Sequence, residues 1–186
     1  MMTQTVTQRV THVSHFLGSA TISECGRYRY ALERRIPDVV GPNLTWLMLN
    51  PSTADATQDD PTIRKVMGFT KRNGYGVALV VNLFALRATD PRECRRQLAD
   101  AEGEQNCAAI MQAAAISEAV VCAWGAQPWA REQAKTVLWW LSEHPRETPI
   151  RLLCLGTSKD GDPLHPLMPS YDGHPLRPFV PGGRYV

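Results

Sequence analysis

The sequence predicts an α/β domain built on a central, mainly parallel four-stranded sheet with helices on both faces. Four apolar runs of strand length occur, LTWLML (44–49), VALVV (77–81), EAVVCAWGA (118–126) and PIRLLCLG (149–156). They alternate with segments of helical composition, the order that yields parallel strands joined by crossover helices. A cluster of polar residues follows each run, as expected where strand carboxyl ends carry a site.

Residues 1–20 are polar and Thr-rich and read as a loosely held arm or an edge strand, leaving 21–186 as one domain. With 186 residues and 44% hydrophobic content the chain can bury one substantial core. RYRYALERRI (27–36) alternates arginine with aromatic or apolar residues. Alternation alone predicts an amphipathic edge strand with one wet face; the sharper reading is a basic-aromatic patch for a phosphate backbone.

The first apolar run stops at Asn50-Pro51, because proline cannot donate to a sheet ladder and restricts the residue before it. Between Pro51 and Arg64, hydroxyl residues (Ser52, Thr53, Thr62), three acids (Asp55, Asp59, Asp60) and the arginine crowd together. Asp60-Pro61 is a helix start, a cap followed by proline at the first helical position, and PTIRKVMGFTKRNG (61–74) continues it at helical spacing.

The second run is followed by Asn82 and LFALRATDP, which brings Phe84 and Arg87 after another strand end. A carboxamide behind five buried apolar residues must find partners or cost roughly 1–3 kcal/mol. Residues 91–115 are helical in composition with a break at AEGEQN, where Glu104 or Asn106 either faces the site or caps a helix. The third run ends in Trp124-Gly125, and PWAREQAKTVLWWLSEH follows as an amphipathic helix whose Trp139 and Trp140 read as core or dimer residues. The fourth enters TSKDGDPLHPLMPS, a polar loop with Lys159 and His165. The Pro/Gly-rich tail (171–186) is expected to wrap the surface without regular structure.

A net charge of +2 and a pI near 8.3 neither demand nor exclude nucleic acid. The five cysteines form no CxxC pair, which argues against a disulfide framework, a zinc site or an iron-sulfur cluster; Cys122 and Cys154 read as core residues. Asp55, Asp59, Asp60 and His165 match no closed metal signature, and no cofactor is expected. With no apolar run of about 18 residues and no signal-peptide core, the expectation is a cytoplasmic protein without a membrane partner.

LNPSTADA, DDPTIRK, VVNLFALRATDP, VCAWGA and CLGTSKDGDPLHPL closely resemble the family known as domain of unknown function 1643, over roughly residues 28–179. EGEQNC departs from it, since that family more often has an asparagine followed by an acid there. More distantly, the order of motifs is similar to the uracil-DNA glycosylase superfamily, and that resemblance implies a three-layer sandwich. By it, Asn50-Pro51 resembles the motif that positions water, Asn82 the asparagine that reads the base edge, Trp124-Gly125 the glycine-bearing strand, and His165-Pro166 the His-Pro motif that stabilises the departing base. The aromatic ring expected after the first motif is replaced by Thr62, which points away from ordinary uracil toward a bulkier modified base, with Phe69, Phe84 or Trp124 as alternative stacking rings.

The implied activity is that of a DNA glycosylase-like hydrolase, with DNA, single-stranded or carrying modified bases, as partner. Asn50, Asp55, Asp59, Asp60 and His165 are then the catalytic candidates. Asparagine holds water but cannot take its proton, so either one of the three acids serves as base or activity rests on electrostatics alone. Pro51, Ser52, Thr53, Thr62, Arg64, Asn82, Phe84, Arg87, Trp124, Gly125 and Lys159 are the binding candidates. Arg64 and Arg87 either clamp a phosphate or pair with Asp60 or Asp90. The competing readings are a non-catalytic nucleic-acid or nucleotide binding module, and a hydrolase or transferase on a small phosphorylated ligand.

Overall fold

A computed structural model of the chain describes residues 10–15, 18–52, 54–55, 57–143 and 149–182. In chain order its elements are β1 (Val10–His15), β2 (Gly18–Ser23), β3 (Arg29–Arg35), β4 (Asn43–Met48), α1 (Pro61–Arg72), β5 (Val77–Asn82), α2 (Pro91–Arg96), α3 (Leu98–Ala101), α4 (Asn106–Ala115), β6 (Ala119–Cys122), α5 (Arg131–Glu143), β7 (Arg151–Cys154) and β8 (Arg177–Pro178).

The fold is mixed α/β, and the expectation of a four-stranded sheet is corrected. One eight-stranded sheet runs in the order β1-β2-β3-β5-β4-β6-β7-β8. The four apolar runs are its adjacent strands β5, β4, β6 and β7, joined by parallel pairings. Antiparallel pairings add β3, β2 and β1 beyond β5, and β8 beyond β7. Strands with a polar face leave a weaker signature than continuous apolar runs, so the flanking strands were not counted with the central four.

Two further expectations change, and the alternative left open for residues 1–20 is resolved. RYRYALERRI forms β3, which lies between β2 and β5 and is no edge strand; its Arg29 and Arg34 are buried at 2% and 3% exposure. The segment 1–20, read as a loosely held arm or an edge strand, contains β1 at the edge of the sheet and the start of β2. The tail contributes the two-residue β8.

The central strands are buried on both faces with a period of two. Leu44, Trp46, Met48, Ala78, Val80, Ala119, Val121 and Leu153 pack on one side with Ile63, Val66 and Phe69 of α1. Leu47, Val81, Val120, Cys122 and Cys154 pack on the other with Ile110 and Ala114 of α4 and Ala134, Val137 and Leu141 of α5. Helices therefore cover both faces of the sheet, which hides its apolar residues from water. Trp139 is exposed, whereas Trp140 packs against the α5 side of the core.

Helix α1 is fixed at both ends. The Asp60 carboxylate accepts from the Ile63 N–H at its start, and Lys71 and Arg72 sit in its last turn, matching the helix dipole. Tyr171 docks the tail on it: the ring lies 4.7 Å from Phe69, with Lys65 Nζ 4.4 Å and the Arg72 guanidinium 4.2 Å from its centroid. Gly68 permits this approach, since a Cβ there would stand 2.3 Å from the Tyr171 hydroxyl.

Candidate functional site

A cavity of about 280 Å³ opens where β4 and β5 end and α1 begins. Arg29, Asn50, Ser52, Asp60, Thr62, Asn82, Thr89 and His165 supply its polar lining, and Met48, Ile63, Ala88, Pro91 and Leu167 its apolar walls. Met48 and Asn82 are register partners at the carboxyl ends of the two strands.

Asn50 is held by its own amide. Nδ2 donates to the Pro51 carbonyl at 3.1 Å and to the Ala88 carbonyl at 2.8 Å, while the Ala88 N–H donates to the Pro51 carbonyl at 2.9 Å. These bonds clasp the two strand-end loops together and use both amide hydrogens. The reversed carboxamide would set an oxygen against two carbonyls, so Oδ1, an acceptor, is what Asn50 has left to offer a ligand or water.

Asp60 is shared between helix and cavity: Oδ1 caps α1, and Oδ2 accepts from the Ser52 hydroxyl. His165 is half-buried, and burial pushes its pKa below the ordinary value, partly opposed by the Asp60 charge. Its Nδ1 accepts from the Leu167 N–H at 3.4 Å, which in the neutral ring puts the proton on Nε2. Gly125, at φ 80°, comes up against it, since a Cβ there would lie 3.3 Å from the His165 Cβ.

Asn82 is 1% exposed, and among the described residues its Nδ2 has no hydrogen-bond partner. Its backbone carbonyl accepts from Asn106 Nδ2 at 3.0 Å, as does that of Leu83 at 3.1 Å. Asn106 thus braces the end of β5 and does not line the cavity.

Arg29 is absent from the sequence candidates. A β-bulge brings it here: β2 pairs Thr21 with Ala31 and then Ile22 with Arg29, so the register slips by one residue at Tyr30. Tyr30 and Ala31 therefore both pack on the α4 side, and Arg29 returns to the α1 side with Leu32. Its Nη1 donates to the Ala54 carbonyl at 2.6 Å. Burial pushes its pKa down to about 10, which leaves it charged at neutral pH.

The other candidates lie elsewhere. Asp59 is 2.7 Å from Arg34 Nε, and the Asp55 carboxylate caps its own turn by accepting from the Thr57 and Gln58 N–H groups, which hold its pKa down. Arg64 donates to the Asp59 carbonyl and Arg87 to the Gly26 carbonyl; neither pairs with Asp60 or Asp90. Phe84 stacks on Trp129 at 5.4 Å, Trp124 meets Phe179 edge-on at 5.8 Å, and Phe69 packs between Trp46 and Tyr171, so none of the three offers a stacking ring to the cavity. Lys159 is exposed on the turn before Asp162, Pro51 contributes its backbone carbonyl beside the cavity, and Thr53 lies outside the described residues. Among the described residues no three His, Cys, Asp or Glu side chains are grouped to hold a metal ion, and no helix is long and apolar enough to cross a membrane.

The family described as "Protein of unknown function (DUF1643)" matches residues 29–167, a span that includes every residue lining the cavity. No curated protein and no solved structure matches the chain significantly.

Proposed function

We propose that this chain, which belongs to the DUF1643 family, hydrolyses the N-glycosidic bond of a modified or damaged nucleobase in the cavity at the ends of β4 and β5. The observation that carries the reading is Asn82: a carboxamide donor, buried and unpartnered, in the same small space as an acid and a histidine. A buried amide without a partner costs about 1–3 kcal/mol, and an acceptor on a heterocycle removes that cost. The volume of about 280 Å³ suits one base or nucleoside, since it lies just below the roughly 300–1,000 Å³ of small-molecule sites.

The residues divide the chemistry between them. Asn50 Oδ1 and the Asp60 carboxylate accept the two hydrogens of a water molecule. As its oxygen bonds to the anomeric carbon, Asp60 takes a proton, and the electrons of the breaking C–N bond leave with the base. His165, neutral with its proton on Nε2, donates a hydrogen bond to the developing base anion. Asp60 takes the role of base because Asp55 and Asp59 are engaged outside the cavity.

The test is release of free base, read by mass spectrometry, from single- and double-stranded DNA and from nucleosides containing uracil, hypoxanthine, hydroxymethylated or glucosylated cytosine. Asp60→Asn is expected to lose about 10²–10⁴-fold in turnover while still binding. Unchanged rates in Asp60→Asn and His165→Ala would sink the assignment.

A further inference from the structure

We infer that Arg29 is the anchor for an oxyanion carried by the ligand, and that the cavity therefore takes a small, free anionic molecule instead of a base flipped out of a continuous DNA strand. The substrate class rests on the glycosidic reading above; the anion site does not.

Arg29 is 2% exposed and lines the cavity, yet no ion pair among the described residues includes it. Buried cations are paired in folded proteins, because desolvation of a lone charge costs several kcal/mol. Asp60, whose oxygens accept from Ser52 and from the start of α1, makes no ion pair with Arg29. The charges of Asp60 and Asp55 favour its cation from a distance, and those of Arg87 and Arg34 oppose it.

The hydrogen-bond inventory points the same way. Arg29 Nε has no partner, and neither does Asn82 Nδ2. Each of the two cavity-lining residues that holds a lone buried polar atom holds a donor, so the molecule that fits presents acceptors to them. A guanidinium edge with a free N–H matches a phosphate or carboxylate in both charge and geometry.

Position decides between a free molecule and a polymer. The phosphates flanking a flipped base are esterified on both sides and stay with the strand outside the cavity, where a cation that serves them must be exposed. Arg29 is not exposed. Only a terminal oxyanion on a molecule small enough to enter, such as a nucleoside monophosphate, reaches it.

The experiment uses the full chain, with ¹⁵N-labelled arginine and phosphate as the first probe at constant ionic strength against chloride. The expected result is a saturable shift of one buried arginine Nε–H resonance, absent in Arg29→Met, and a rise of a few degrees in Tm with a nucleoside monophosphate that exceeds that of its nucleoside. Arg29→Lys, which keeps the charge but not the fork, is expected to retain a weakened response.

If Arg29→Met fails to fold, the wild-type resonance and the monophosphate-to-nucleoside comparison still decide. No shift with phosphate, acetate or a nucleoside monophosphate overturns the anion site. An equal shift with an oligonucleotide lacking terminal phosphates overturns the free-molecule assignment. Anion binding without base release from any substrate would remove the glycosidic reading and leave the anion site standing; base release from DNA with no anion response would do the reverse.

Discussion

Arg29 and Arg34 lie on one strand, face the same side of the sheet and are equally hidden from water, yet they are used in opposite ways. Arg34 is saturated: Nε donates to Asp59 at 2.7 Å, Nη1 to the Glu33 carbonyl at 2.8 Å, and Nη2 to the Asp55 carbonyl. It stitches the loop of residues 55–59 to β3. Arg29 has the Ala54 carbonyl, an idle Nε and no ion pair. The difference teaches where to look for function: a buried cation whose bonds are filled is holding the chain, and one left partly unfilled is waiting for something else.

The largest expected effect tests that contrast directly. Arg34→Met strands Asp59 and the carbonyls of Glu33, Asp55 and Gln58, and urea unfolding should show a loss of about 3 kcal/mol, the lower end of the range for broken buried pairs because Asp59 is partly exposed. Arg29→Met should lose about 1 kcal/mol or less, since one hydrogen bond and one unpaired charge disappear together. Equal losses in the two variants would make Arg29 a second structural stitch.

A similar contrast holds among the neutral groups. Trp46 Nε1 donates to Thr70 Oγ1 at 3.0 Å, and that hydroxyl donates to the Val66 carbonyl at 2.8 Å. Thr70→Val leaves the indole N–H without a partner and should cost about 1–3 kcal/mol. Asn82→Leu should lie within about 1 kcal/mol of the wild type, because the amide it removes is already unpartnered, while turnover disappears. A large loss of stability in Asn82→Leu would show that its carboxamide is satisfied by ordered water.

Gly68→Ala addresses the α1 face outside the cavity. The added methyl displaces Tyr171 and should cost about 1–2 kcal/mol by overpacking, with no change in anion response. The smallest effect is the pH dependence of His165. Its folded pKa lies below the ordinary 6.5, so the unfolded chain takes up the proton first. Stability contributed by the neutral ring is present above pH 6.5, falls as pH drops toward the folded pKa, and levels off below it. His165→Gln should flatten that part of the profile; an unchanged slope would place the titrating group elsewhere.

The central strands were legible because each is buried on both faces and leaves a continuous apolar run, and α1 because Asp60-Pro61 announces its start. Asn50, Ser52, Asp60, Thr62, Asn82 and His165 were legible as candidates because each follows a strand. Asp55, Asp59, Arg64, Phe84, Arg87, Trp124 and Lys159 stand in the same kinds of loop, and nothing in their spacing tells that they turn away. Arg29 was hidden for a definite reason. In RYRYALERRI plain alternation puts Arg29 and Arg34 on opposite faces, and only the bulge at Tyr30 brings them to the same one.

What the sequence determined by itself is therefore local: the alternation of strands and helices, the breaks at proline and glycine, and the pool of polar residues after each strand, all consequences of side-chain periodicity and backbone geometry. The tertiary structure decided the rest. The register slip between β2 and β3 chose which arginine enters the cavity, and the backbone acceptors available around Asn50, Arg34 and Asp55 consumed some polar groups and spared others. Hydrogen-bond satisfaction is a property of neighbours distant in the chain, so the donors left over for a ligand emerge only once the chain has closed on itself.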